Sequence, residues 1–194
     1  MAIHRLAQAS PAEITAIAAT LAEAFKNYAW TRWTVDGERH EARVAAIQRL
    51  YLEHIGLPYG EVWVDDQFKC VAVLVQPGPI EMLPGLQEKL SALHGTAGQR
   101  LQIRLPQPPV GTWTLAALGV APDTQGNGAG TALMDAVLQD ADRQGRSIAL
   151  ETSSERNVAF YGRHGFRVWA VTEMPDGGPF VWSMIREVLP GPAA

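Results

Sequence analysis

The sequence predicts an α/β domain: a mixed sheet in one layer, with helices on both faces. Three observations lead there. Strand-like and helix-like runs alternate through residues 112–165. An apolar hairpin pattern occupies residues 61–75, and two more strand-like runs, 166–173 and 180–186, close the chain around the turn Pro175-Asp176-Gly177-Gly178. Helical patterns stand both before and between these strands, so a sheet would bury both of its faces.

The elements follow in order. Ile3 to Leu6 reads as a short strand. Ser10-Pro11-Ala12-Glu13 reads as a helix start, with Ser10 as cap, proline in the first turn and Glu13 at the capping-box position. Ile14, Ile17, Ala18, Leu21 and Phe25 then recur at helical spacing. A second helix is predicted over 39–55, with Val44, Ile47, Leu50 and Tyr51 on one face, stopped by Gly56-Leu57-Pro58-Tyr59-Gly60. Asp65-Asp66-Gln67 joins the strands 61–64 and 71–75 into a hairpin. Residues 76–109 are rich in proline and leucine, with a helical patch over 83–105, and read as a lid or substrate wall. The tail 190–194 is expected to fray.

The length of 194 residues fits one domain spanning 1–194, with a sizeable core. A formal net charge of −4 and scattered arginines argue against a nucleic-acid partner, which wants clustered cations. The single cysteine, Cys70, excludes an internal disulfide and a cysteine-only metal site; inside Val71-Ala72-Val73-Leu74-Val75's apolar run it is expected in or near the core. The five histidines show no metal-ligand spacing, so no metal is expected. The start Met1-Ala2-Ile3-His4-Arg5 lacks a signal peptide's apolar run, and no stretch is long enough to span a bilayer, so a cytoplasmic protein without membrane contact is expected.

The chemistry concentrates in Gln125-Gly126-Asn127-Gly128-Ala129-Gly130-Thr131, between a strand-like run ending at Val120 and a helix-like run over 131–144. Glycines at alternate positions let the backbone curl and expose successive N–H groups, and a helix start adds unpaired donors and a positive dipole end. Such a cradle suits a phosphate or pyrophosphate. It is not a P-loop, because no lysine follows the glycines, and the dinucleotide fingerprint fails, because Thr131 or Leu133 stands where its last glycine belongs. A plain glycine-rich helix start is the alternative.

The pattern Gln125-x-x-Gly128-x-Gly130 resembles the acetyl-CoA pyrophosphate loop of the GCN5-related N-acetyltransferases (GNAT). Asn157-Val158-Ala159-Phe160-Tyr161-Gly162-Arg163-His164-Gly165-Phe166 resembles the same family's second hallmark, and it follows in the right order. The resemblance implies a mostly antiparallel mixed sheet of six to seven strands, flanked by helices on both faces and splayed between the fourth and fifth strands. It implies acetyl-CoA as co-substrate. Gly126, Asn127, Gly128, Ala129, Gly130 and Thr131 would hold the pyrophosphate beside Gln125, and Leu118, Gly119 and Val120 would end a bulged strand whose backbone pairs with the pantetheine arm as an added strand. Asn157 would hydrogen-bond the pantetheine, cap the next helix, or both. Tyr161 is the expected general acid, since a phenol with a pKa of about 10 stays protonated and can donate to a departing thiolate; a packed aromatic is the alternative. No acid or base stands in Thr112-Trp113-Thr114-Leu115-Ala116-Ala117, which leaves Glu151 as candidate base, directly or through water, or as an anchor for Arg156 or Ser153. His164 is expected to be a helix-end cation.

Within the family the chain is similar to the puromycin N-acetyltransferases along nearly its full length, in Ala24-Phe25, Tyr28, Thr31-Arg32, Thr34-Val35-Asp36, Arg39-His40, Val62-Trp63-Val64, Leu150-Glu151-Thr152-Ser153 and Arg156-Asn157. The resemblance implies a small-molecule amine as acceptor, of aminoacyl-nucleoside antibiotic type, and so a part in antibiotic resistance. Tyr28, Trp30 and Trp33 would form its aromatic wall; the alternative is that one or both tryptophans cap the core. Trp30 replaces a small residue of those relatives and Trp33 a histidine, so puromycin itself is not carried over. An α-amine with a pKa of roughly 8 costs about 3.4 kcal/mol less to deprotonate at neutral pH than an alkylamine near 10.4, which suits a site lacking a strong base. Rival expectations are a protein or peptide N-terminal acetyltransferase, which needs an open groove, and a catalytically silent acyl-CoA sensor. A monomer or homodimer is expected.

Overall fold

The computed structural model describes residues 1–81 and 83–188; the tail expected to fray, 190–194, lies outside them. The chain runs β1 (Ile3–Arg5), α1 (Pro11–Phe25), α2 (Ala29–Thr34), α3 (His40–Tyr51), a π-helical turn (Leu52–Gly56), α4 (Leu57–Tyr59), β2 (Gly60–Asp65), β3 (Cys70–Val75), α5 (Leu86–His94), a 3-10 segment (Gly95–Gln102), β4 (Trp113–Val120), α6 (Ala129–Arg143), β5 (Ile148–Thr152), α7 (Glu155–Arg163), β6 (Arg167–Glu173) and β7 (Phe180–Arg186). The strands form one seven-stranded sheet in the order β1-β2-β3-β4-β5-β7-β6. Only β4 and β5 run parallel; every other pairing is antiparallel. This is the mixed α/β GNAT fold that the sequence predicts.

Helix α1 begins as its sequence dictates. Ser10 Oγ accepts from Glu13 N–H at 3.3 Å and the Glu13 carboxylate accepts from Ser10 N–H at 2.7 Å, a reciprocal capping box that satisfies two otherwise unpaired donors. Ile17 and Leu21 on its inner face are fully buried against Val71, Val73 and Ala117. Burial of each such side chain contributes about 1.5–3 kcal/mol. On the other face of the sheet, Leu133, Met134 and Val137 of α6 cover Cys70, Ala72 and Leu74. Strand β3 therefore buries both faces, which explains its unbroken apolar run. Cys70 has no exposed surface, and burial pushes its thiol up to about 11, so it is an inert core residue.

Two local departures shape the site. The helix predicted over 39–55 is regular only to Tyr51. Pro58 has no N–H to give the His54 carbonyl, and the ladder widens, with Leu57 N–H reaching back to the Leu52 carbonyl. Helix α2 has no counterpart in the sequence reading. Ala-Trp-Thr-Arg-Trp-Thr is a poor helix former, and tertiary bonds hold it: Trp30 N–H donates to Ser153 Oγ at 3.1 Å, and Arg100 Nη1 to the Trp33 carbonyl at 2.5 Å.

Candidate active site

Strands β4 and β5 pair at only two positions, Trp113 with Ile148 and Thr114 with Ala149, and then part. On its other side β4 stays paired with β3 to Val120, with one irregularity: Val73 faces Ala117 and Leu74 faces Leu115, which leaves Ala116 as an extra residue. This bulge resets the side-chain phase of β4. Leu115 and Ala117, two residues apart, would share one face of a regular strand; here Leu115 joins the core under α6 and Ala117 the core under α1. Beyond Thr114, β4 has a strand on one side only, an open edge facing the split.

A long cleft of about 810 Å³ runs along this edge. At one end it reaches the glycine loop. Gly126 and Gly128 have φ of 83° and 78°, a region that side chains with a Cβ resist. Gly128 is the N-cap of α6, whose first internal bond runs from Ala132 N–H to the Gly128 carbonyl at 2.9 Å. The N–H groups of Ala129, Gly130 and Thr131 are thus not used by the helix. Gln125 Nε2 donates to the Val120 carbonyl at 2.9 Å and fixes the loop to the strand end. Arg156 and Arg163 also line the cleft, and among the described residues its one acidic group is Glu151. The donors, the cations and the open strand edge fit an anionic ligand with an amide-bearing arm.

A smaller cavity of about 270 Å³ adjoins it, between α2, α3, the end of α5 and the split strands. Phe25, Tyr28, Leu115, Ala116, Ala117, Glu151 and Thr152 border both spaces, so the two meet where the sheet parts. Glu151 alternates with Leu150, which is buried under α6, and so projects to the opposite face. Its carboxyl remains solvent-accessible yet is crowded by the cleft walls, and this desolvation raises its pKa above the usual 4.5 with no hydrogen bond or cation to offset it. Neither Arg156 nor Ser153 pairs with it.

Tyr161 borders the cleft from α7. It is buried against Phe166 and Phe160, with ring centroids 5.7 and 5.2 Å away. Burial, and to a smaller degree the neighbouring Tyr28, raises its phenol pKa, so the ring holds its proton. Tyr28 also accepts Ser153 N–H at 2.6 Å, while Phe25 meets its ring edge-on.

Most residues singled out in the sequence lie together. Leu118, Val120, Gln125, Gly126, Gly128, Ala129, Gly130, Thr131, Asn157 and Tyr161 line the cleft, and Tyr28 and Trp30 line the cavity. Gly119 and Asn127 border neither space. Trp33 does not border the cavity either: it is 7% exposed and packs with Met174 and Val181 behind Trp30, ring centroids 5.4 Å apart. Gly178 presses on it so closely that a Cβ there would stand 2.6 Å from the indole. Asn157 is not the cap of α7; Ser154 holds that position. His164 is the C-cap of α7, with Nδ1 donating to the Phe160 carbonyl at 2.9 Å.

Sequence reasoning missed Gln48, Tyr51 and His94 in the cavity wall and Arg163 in the cleft. The stripe Val44, Ile47, Tyr51 was visible as an apolar helix face, and Gln48 within it was the signal that the face borders a space. The proline- and leucine-rich stretch contributes His94 and Leu105 to that wall. Among the described residues no group of three His, Cys, Asp or Glu converges as a metal site, and no helix is long and apolar enough to cross a membrane.

A domain model of the acetyltransferase (GNAT) family matches residues 93–168, which span β4, the glycine loop, α6, β5 and α7. Solved structures share the fold. A Corynebacterium glutamicum protein described as histone acetyltransferase HPA2 and related acetyltransferase superimposes with a TM-score of 0.77 at 23% identity, over 100% of both chains. The ribosomal-protein-S18-alanine N-acetyltransferase of Escherichia coli gives 0.58 at 14% identity, over 100% of this chain and 99% of its own. A mosquito arylalkylamine N-acetyltransferase like 5b gives 0.57 at 11% identity, over 96% and 100%.

Proposed function

We propose that this chain is an acetyl-CoA-dependent N-acetyltransferase of the GNAT family that acylates the primary amine of a small molecule, by direct attack in a ternary complex. The domain match and the shared fold support an acetyltransferase, and proteins of this fold generally bind acetyl-CoA. The observation that carries the reading is the meeting of a cleft suited to an anion and a small, largely apolar cavity at the split of β4 and β5.

Acetyl-CoA supplies the acyl group and a thiol leaving group. The chain's residues supply position and protons. The N–H groups after Gly128, with Arg156 and Arg163, hold the phosphate end. The free edge of β4 orients the arm, directing the thioester to the junction. Glu151, raised in pKa and bordering both spaces, takes the proton that the amine nitrogen loses as its bond to the acyl carbon forms. Tyr161 gives its phenol proton to the sulfur as the carbon–sulfur bond breaks. Its buried phenol suits a donor rather than a base. The modest volume of the cavity, about 270 Å³, favours a small molecule over an extended peptide, and the aminoacyl-nucleoside class rests on the resemblance of residues such as Tyr28 and Leu150-Glu151-Thr152-Ser153.

The test is acetyl transfer from acetyl-CoA to a panel of primary amines, read as release of free thiol. Saturable, amine-dependent release supports the reading. Tight binding of acetyl-CoA with no transfer to any amine would instead favour a sensor.

A further inference from the structure

Strand β6 is one outer edge of the sheet, and among the described residues its backbone bonds only to β7. The opposite edge, β1, is three residues long and carries His4 and Arg5. Short, charged edges resist pairing with another chain. Strand β6 lacks that protection. It is seven residues long, and its middle, Val168-Trp169-Ala170-Val171-Thr172, carries no charge.

A bulge in β6 sets which side chains accompany this edge. Val168 stands opposite Met184 and Val171 opposite Trp182, with one residue more between them on β6 than on β7. Met184 and Trp182 are two residues apart and both face the core under α6. The extra residue therefore turns Val168 and Val171, three apart, to that same face. Phe180, two residues before Trp182, shares it, with ring centroids 6.3 Å apart. Yet Val168, Val171 and Phe180 are 39%, 54% and 50% exposed. The helices that bury Met184 do not cover this margin, and an apolar stripe is left beside an unpaired strand edge.

The two ends of the strand carry opposite charges, Arg167 and Glu173. Arg167 Nη2 lies 2.9 Å from a Glu187 carboxylate oxygen, but both side chains are exposed and water weakens such a pair. A second copy of the strand laid antiparallel brings each Arg167 end to the other's Glu173 end and sets the uncharged middles together. A parallel copy would set like charges side by side. The edge is thus complementary to itself in one direction only.

We infer that β6 is a homodimer interface: two copies of this chain pair their β6 edges antiparallel about a two-fold axis near Ala170, joining two seven-stranded sheets into one. Such an axis keeps the faces of the two sheets continuous, so the stripes of Val168, Val171 and Phe180 adjoin across the seam and shield one another from water.

Sedimentation velocity of the full chain, from micromolar to near-millimolar concentration, is expected to show a concentration-dependent dimer. Val171→Lys places a charge near the axis at an exposed position, so the protein should keep its circular dichroism spectrum and melting temperature and stay monomeric. Arg167→Glu sets like charges against Glu173 of the second copy and should raise the dimer dissociation constant about tenfold; adding Glu173→Arg should restore it toward the parent value. Hydrogen exchange of the parent should slow along residues 168–172 as concentration rises. A monomer at every concentration, a dimer that Val171→Lys leaves intact, a charge-swapped double variant no better than Arg167→Glu alone, or dimerisation without added protection of β6 overturns the interface. Should Val171→Lys fail to fold, the charge swap and the exchange of the parent decide it.

Discussion

The Tyr28 hydroxyl lies 2.7 Å from Thr152 Oγ1, joining the loop after α1 to the end of β5 across 124 residues of sequence. The same oxygen accepts Ser153 N–H, which leaves the phenol proton free to point at Thr152. Thr152 is 2% exposed, so water cannot replace this bond cheaply. The contact pins the wall shared by cleft and cavity where the sheet opens. Tyr28→Phe should lower stability by about 1–3 kcal/mol and raise the acceptor KM. Chemical denaturation of Tyr28→Phe, Thr152→Val and the double variant measures the coupling, expected at about 1 kcal/mol. Strictly additive losses would mean the two hydroxyls do not act together.

Tyr161→Phe keeps the ring among Phe160 and Phe166 and removes one proton donor. Turnover should fall by roughly 10- to 1000-fold, around the usual scale of general acid catalysis, with acetyl-CoA affinity nearly unchanged. A folded variant that turns over at the parent rate would assign protonation of the thiolate to another group.

Gly128→Val should abolish acetyl-CoA binding while the fold survives. The space above Gly128 is open, so no clash with the protein arises; the cost lies in φ of 78°, which a β-branched residue resists, and in a side chain standing where the loop would meet the pyrophosphate. Calorimetric titration with acetyl-CoA, beside a circular dichroism spectrum, checks it. Parent affinity would remove the loop from the binding site.

Glu151 should trade stability for chemistry. Its folded pKa is raised, so the native state binds more protons than the unfolded chain between the ordinary carboxylate value and the folded one. Stability from this group therefore falls as pH rises through that window and stays lowered above it. Glu151→Gln should melt higher than the parent at neutral pH, an advantage that fades below about pH 4, and should lose about tenfold or more in kcat/KM. Raised stability with undiminished kcat/KM would leave the carboxylate without a part in proton transfer.

Much of this architecture was legible because local chemistry and global fold agree. Ser10 with Glu13 marks the start of α1, the alternate glycines mark the loop before α6, and the double-faced apolar run at residues 70–75 marks a central strand. The rest depends on distance in space. Helix α2 forms against its propensity through Ser153 and Arg100, far along the chain. The phase reset at Ala116 cannot be read from a run of Leu and Ala that is apolar on either face; only the family resemblance implies a bulged strand there. Periodicity locates the apolar face of α3 that carries Tyr51, but an apolar stripe reads the same whether it packs on protein or borders a cavity, so it does not single out Gln48 and Tyr51 as cavity-lining. Asn157 matched a motif and a cap preference alike; only the backbone shows that the helix starts one turn earlier, at Ser154.

Trp30 and Trp33 illustrate the same gap and separate experimentally. They are three residues apart on α2, and their rings touch, yet Trp30 is half-buried and borders the cavity while Trp33 is wedged between Gly178, Met174 and Val181. The guanidinium of Arg100 lies 5.3 Å from the Trp33 ring, adding a cation–π contact. Trp33→Ala should therefore cost about 3–5 kcal/mol, the range for emptying a buried aromatic site. Trp30→Ala should cost less stability but change the ranking of amine acceptors, since it removes a face of the cavity itself. Trp33→His tests the pair most sharply, because an imidazole there would leave much of the indole volume empty and bury a polar ring among Met174 and Val181. It should lower the melting temperature and keep the acceptor ranking. A Trp33→His protein that is stable but reorders its acceptors would bring Trp33 into contact with the substrate and require α2 to turn when the cavity fills.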